Sequence, residues 1–242
     1  FLQAKPEWQI GIYGSTNELN RSLPDVSLFS ANGLYGHALV YCMSDANEGG
    51  HPCDYSNPDD VFYNSAGGTS FAAPAMAGVQ ALINAALGDR SGNILPAFYN
   101  IASKEYGTNG SPNTAMLSQC NSSNGTSVGS DCVFNDVAVG DIVQPCFTGS
   151  LGCYSGSSTL TNEFGIIEGG NGSSQTLSPA WSSNAGYDMA TGLGTVNVNN
   201  LVNAVGLVFR TLAKVTTLFD RKGAGGAADG APTTVEEAVP PT

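Results

Sequence analysis

Positive charge is scarce in this sequence. Eight Lys and Arg stand against 20 Asp and Glu over 242 residues, a net charge of −12. So few cations cannot neutralise a run of phosphates, which argues against a nucleic-acid partner. Charge of either sign is thin, at 12% of residues, roughly half of what a globular chain carries. Histidine occurs only at His37 and His51, and no Cys-x-x-Cys appears, so the spacing of a zinc site is missing. No apolar run reaches the ~20 residues that span a bilayer, and no membrane is expected. The opening Phe1-Leu2-Gln3-Ala4-Lys5 is neither charged-then-apolar nor long enough for a signal peptide. It reads as the abrupt start of an internal piece.

What is present is ordinary apolar content, 41%, enough for a sizeable core. Gly, Ser, Asn and Thr fill the surface. The 6 cysteines fall into short-range couples: Cys42 with Cys53, Cys120 with Cys132, Cys146 with Cys153. Sequence alone leaves the pairing open, but an even count favours disulfides and a secreted or extracytoplasmic protein. Asn20, Asn121, Asn124 and Asn171 each begin a glycosylation acceptor triplet. The acidic surface would shed much of its charge below pH ~4, near the model carboxyl values, which suits work in acid.

In chain order, Trp8 to Ile12 is a possible short strand. Arg21-Ser-Leu-Pro-Asp-Val-Ser-Leu-Phe29 suits a strand whose end Asp25 caps or pins, since Pro24 favours extension before it. His37 to Cys42 reads as a buried strand. A Cys42–Cys53 bridge would close the loop after it, worth about 3 kcal/mol by chain entropy. A helix is expected from near Pro96 to Gly107, and polar loop from 107 to 131. An insert at about 142–180 reads as surface elaboration. Leu201, Val205, Val208, Leu212, Val215 and Phe219 trace one stripe of a helix, more suited to a core than to a membrane. Residues 1–222 form the folded part, and 223–242, rich in Gly, Ala, Pro and acid, a flexible tail or linker.

The chemistry centres on Gly67-Gly68-Thr69-Ser70-Phe71-Ala72-Ala73-Pro74. The apolar run from Phe71 to Leu87, ended by Gly88, predicts a largely buried helix with Ser70 at or near its start. Pro74 is tolerated in a first turn. The Ser70 hydroxyl would then face unpaired backbone N–H groups and the positive end of the helix dipole, where an oxyanion is stabilised. The same residue types also make a plain N-cap.

The longer string Gly-Thr-Ser-Phe-Ala-Ala-Pro-Ala-Met-Ala-Gly-Val resembles the nucleophile segment of the subtilase superfamily. Ala75, where subtilisins carry His, makes it similar to the sedolisins, the serine-carboxyl peptidases. Arg21-x-x-Pro24-Asp25-Val26-Ser27 is a second match, with no role carried onto Asp25. A third joins Phe134-Asn135-Asp136-Val137 to Asn184-Ala-Gly186-Tyr187-Asp188-Met-Ala-Thr191-Gly192-Leu-Gly194. The resemblance implies that Ser70 is the nucleophile and that its N–H is an oxyanion donor. It implies a Ca2+ site from the Asp136 and Asp188 carboxylates and the Val137, Asn184 and Gly186 carbonyls, a hard oxygen set. Taken alone, the two Asp residues could equally be turn formers.

The family's basic Glu, its orienting Asp and its oxyanion Asp lie upstream of the serine, and no residue before Ser70 matches them. Neither His37 nor His51 suits the base role. The resemblance covers about residues 21–206, the C-terminal half of a catalytic domain. It implies an α/β fold, the subtilisin-like three-layer sandwich with a parallel sheet, acting on polypeptide substrates together with an N-terminal part or a propeptide. Two other readings remain: a calcium-stabilised scaffold relative without activity, and a His-dependent subtilisin-type protease.

Overall fold

The computed structural model describes residues 3–16, 18–29, 38–57, 63–142, 145–147, 150, 153–154, 164–167, 181–209 and 211. The content is mixed α/β: helices and small antiparallel sheets.

The first segment forms no ladder. Glu7–Gln9 is a single 3-10 turn, and Ile12 makes one bridge, to Thr108. Residues 21–29 belong to no strand among the described residues, so both strands expected here are corrected. Their hydrogen-bonding groups go instead to loops: Arg21 N–H to Gln3 O, and Ser27 N–H to Gly194 O.

Strand β1 (Leu39–Cys42) pairs antiparallel with β2 (Tyr63–Ala66), Leu39 opposite Ala66. The chain is turned back by a loop that the Cys42–Cys53 disulfide closes. The expected burial of β1 is not seen: Val40 is 67% exposed, because no described element covers that face.

Helix α1 (Thr69–Leu87) follows, stopped by Gly88 in the left-handed region at φ 71°. Only Val79 and Ile83 of this helix are buried, so the expectation of a largely buried helix is corrected. Ala-rich composition dictates the helix; it does not supply the surface to cover it. At 19 residues α1 is also long and apolar enough, by length and composition alone, to cross a membrane, although no such run is expected from the sequence. In mid-helix the polar side chains are paired locally, Gln80 Nε2 donating to Asn84 Oδ1 and Ser91 Oγ.

Helix α2 (Leu95–Tyr106) begins with proline in its first turn and ends at Gly107, as the sequence predicts. It is the centre of the core, burying Phe98, Tyr99, Ala102 and Tyr106. Residues 107–131 are more ordered than expected. Gly107–Thr108 (β3) and Ser111–Pro112 (β4) form a hairpin, and Asn113 caps α3 (Thr114–Gln119) through Met116 N–H. The Cys120–Cys132 disulfide, buried, ties this region to β5 (Phe134–Asn135).

Of the insert, Pro145–Phe147 (β6), Cys153–Tyr154 (β7) and Phe164–Ile167 (β8) form a sheet in the order β6-β8-β7, bridged by Cys146–Cys153. Strand β9 (Thr195–Val196) pairs with β5, and α4 (Val198–Phe209) buries Leu201 and Val205 against the core. Leu212, Val215, Phe219 and the expected tail at 223–242 lie outside the described residues. Every ladder among the described residues is antiparallel, and the expected parallel sheet is not among them. Gly107–Thr108 and Ser111–Pro112 are joined by a two-residue turn, which only antiparallel strands allow, whereas a parallel pair needs a long crossover. The three bridges suit an extracellular or otherwise oxidising environment.

Candidate functional site

Gly68 precedes α1 at φ 100°, a conformation open to glycine, and lets the chain enter the helix at Thr69. Ser70 is therefore the second helical residue, and it is exposed. Among the described residues no hydrogen bond is made by its hydroxyl. Pro74 sits inside the helix, past the first turn expected for it. Lacking an N–H, it leaves the Ser70 carbonyl without its helical donor. The first turn is tightened instead by Phe71 N–H to Gly68 O at 3.0 Å. His51 is exposed in the loop that Cys42–Cys53 closes, and His37 lies outside the described residues.

The second group of candidates is drawn together from distant parts of the chain. Asp136 follows β5, and the loop 184–188 folds onto it, with Gly186 N–H donating to Asp136 Oδ2 at 3.0 Å. Gly186 is required by close approach. Its φ is +82°, and a Cβ there would stand 2.6 Å from the Tyr13 carbonyl oxygen. Tyr187 N–H donates to that same oxygen at 2.9 Å. Gly192 is pressed against the Asp25 backbone, where a Cβ would lie 2.5 Å away.

The two carboxylates do different things. Asp188 shapes its own turn: Oδ1 accepts from Ala190 N–H at 2.8 Å and Thr191 N–H at 2.7 Å, while Oδ2 accepts from Asn184 N–H at 2.9 Å. Its turn-forming role is thus realised. Asp136 is 1% exposed, and its Oδ1 is buried with no hydrogen-bond partner among the described residues. Burial pushes the Asp136 carboxyl up to about 6; the Asp188 carboxylate pushes the same way, against the Gly186 N–H. A buried carboxylate oxygen with no donor is relieved either by a proton or by a cation. No described hydrogen bond is made to the carbonyls of Val137, Asn184 or Gly186. In donor chemistry, a carboxylate oxygen and backbone carbonyls fit a hard cation such as Ca2+. Among the described residues no three His, Cys, Asp or Glu side chains gather as a metal group. A site here rests on two carboxylates and backbone oxygen.

Sequence reasoning missed the buried supports of this loop. Tyr106 donates its hydroxyl to Leu193 O at 2.6 Å, and burial raises its pKa well above the ordinary tyrosine value. Glu105 accepts Val133 N–H at 2.6 Å and Phe134 N–H at 3.1 Å, fixing the strand that leads to Asp136. An acid one helical turn after Ile101 and Ala102, on the apolar side of α2, was the available signal. A cleft between α2 and α4, lined by Pro96, Ile101, Lys104, Leu207 and Phe209, includes none of the candidate site residues. No family model, curated protein or solved structure matches this chain.

Proposed function

We propose that the chain is the nucleophile- and cation-bearing part of a serine-type endopeptidase of the serine-carboxyl (sedolisin-like) kind. It would cleave peptide bonds through an acyl-enzyme on Ser70, at acidic pH. The observation that carries the reading is the closure of loop 184–188 on Asp136 across 50 residues of sequence, leaving Oδ1 of that buried carboxylate without a partner. Exposure of Ser70 at the head of a 19-residue helix is the second support.

The Ser70 oxygen would attack the scissile carbonyl carbon and give its proton to a carboxylate base. Negative charge on the former carbonyl oxygen would be met by the Ser70 N–H, one of the unpaired donors of the first turn. Collapse would return the proton to the departing amine, and water would then release the acyl group by the same route. A carboxylate suits the base role in acid, where a histidine would be protonated. The resemblance assigns that base to an N-terminal part of the domain, and the apolar, uncovered side of α1 supports a partner polypeptide there. The finer fold, a subtilisin-like sandwich with α1 inside it, belongs to that assembled state. Ca2+, when bound, would neutralise the buried carboxyl pair. Asp136, Val137, Asn184, Gly186 and Asp188 would hold it.

The test is hydrolysis of a denatured protein at acidic pH by this chain assembled with the upstream part of its domain. Activity lost in Ser70→Ala, and absent from the 242-residue chain alone, is the expected result. Undiminished activity in Ser70→Ala overturns the reading. An inactive assembly that still binds Ca2+ identifies a scaffold relative.

A further inference from the structure

The segment from Trp8 to Asp25 has no ladder to hold it, yet it is among the most tightly tied stretches of the molecule. Gln9 is 1% exposed. Its Nε2 donates to Ser22 O at 2.9 Å and to the Tyr99 hydroxyl at 2.8 Å, and its Oε1 accepts Ser22 N–H at 3.0 Å. The Tyr99 hydroxyl donates onward to Asp25 Oδ1 at 3.0 Å. Asp25 Oδ2 pairs with Arg21 Nη2 at 2.6 Å, and the Arg21 guanidinium lies over the Trp8 ring, 5.1 Å from its centre. This settles Asp25 in the pinning role expected from the sequence.

The strap so formed ends on the loop that carries the candidate cation ligands. Tyr187, between Gly186 and Asp188, donates its hydroxyl to Pro24 O at 3.0 Å. Leu193 N–H donates to Asp25 O at 2.8 Å, and Ser27 N–H to Gly194 O at 3.0 Å. At the other end of the strap Tyr13 O takes the Tyr187 N–H at 2.9 Å. Tyr187 is 2% exposed, with its ring 6.1 Å from that of Tyr99. The loop is therefore gripped at its backbone by Tyr13 and at its side chain by Pro24.

The geometry points to Tyr187 and the Arg21–Asp25 pair as positioning residues for the cation site: they fix the loop that presents the Asn184 and Gly186 carbonyls and the Asp188 carboxylate. The inference rests on the cation reading proposed above. Partners that orient metal ligands set affinity without touching the metal, and the Tyr187 hydroxyl reaches the strap while the Gly186 N–H beside it donates to Asp136 Oδ2.

The experiment is calorimetric titration of the 242-residue chain with Ca2+, alongside melting in EDTA. Tyr187→Phe, which removes only the hydroxyl, is expected to weaken Ca2+ binding about tenfold, with little change in the EDTA melting temperature. Asp25→Asn, which unpairs Arg21 but keeps its shape, shifts affinity the same way. Tyr41→Phe, on β1, leaves it unchanged. A purely structural role would lower the EDTA melting temperature and leave the affinity of the folded protein alone. Wild-type binding with unchanged affinity in both variants overturns the positioning role only. Absence of Ca2+ binding by the wild type overturns the cation reading and this inference together.

Discussion

Position 70 combines an exposed hydroxyl with a backbone that has been loosened behind it. The hydroxyl is exposed, and Pro74 strips the Ser70 carbonyl of its helical donor. The same economy of small residues governs the loop 184–188. Gly186 holds φ +82° with no room for a Cβ beside Tyr13 O. Gly186→Ala should cost about 1–3 kcal/mol, read as a fall in melting temperature, through backbone strain and steric displacement. A shift of less than a degree would mean that the loop closes on Asp136 by some other geometry. Asp136→Asn should abolish the rise in melting temperature that Ca2+ gives the wild type, measured by differential scanning calorimetry.

Elements are held to one another by few, well-placed contacts. Glu105 carries α2 to β5 through two N–H donors, and burial raises its pKa above the usual 4.5 against their pull. A raised folded pKa means that the native state binds the proton more tightly than the unfolded chain does. That contribution is complete below about pH 4.5 and is lost as pH rises through the folded value. The melting temperature of the wild type in EDTA should therefore fall more steeply above pH 4.5 than that of Glu105→Gln. Equal slopes would show Glu105 to be ionised at no cost. The Cys120–Cys132 bridge joins α3 to the same strand, both sulfurs fully buried. Replacing the pair by Ala should cost about 2–5 kcal/mol, more than loss of the half-buried Cys42–Cys53 bridge, as denaturant titration would show.

Helices and bridges were legible where the chain marks its own punctuation. Gly88, the proline near the start of α2 and Gly107 bound α1 and α2, and short spacing paired the cysteines. The hairpin and α3 within 107–119 were not, because their stability comes from Asn113 and contacts with α2 and not from an apolar period. Residues 7–29 hid for the opposite reason: β-prone side chains sit in a strap whose partners are loops and side chains far away in sequence. For the candidate site, motif order located Asp136 and Asp188, while the grip of Tyr13, Pro24 and Tyr187 on their loop could be read only in three dimensions.

At the scale of the whole molecule the uncovered side of α1 is the outstanding feature. A helix of Ala, Val, Leu and Ile with only Val79 and Ile83 buried calls for a covering surface, and the nucleophile role proposed for Ser70 requires a base. Both requirements are met at once if an N-terminal part of the domain packs there. The most direct measurement is labelling of that assembled protein at acidic pH with a serine-directed fluorophosphonate, followed by mass spectrometry of the modified peptide. The label is expected on Ser70, undiminished when His37 and His51 are replaced. Label on another residue, or loss of labelling with either histidine, would contradict the account.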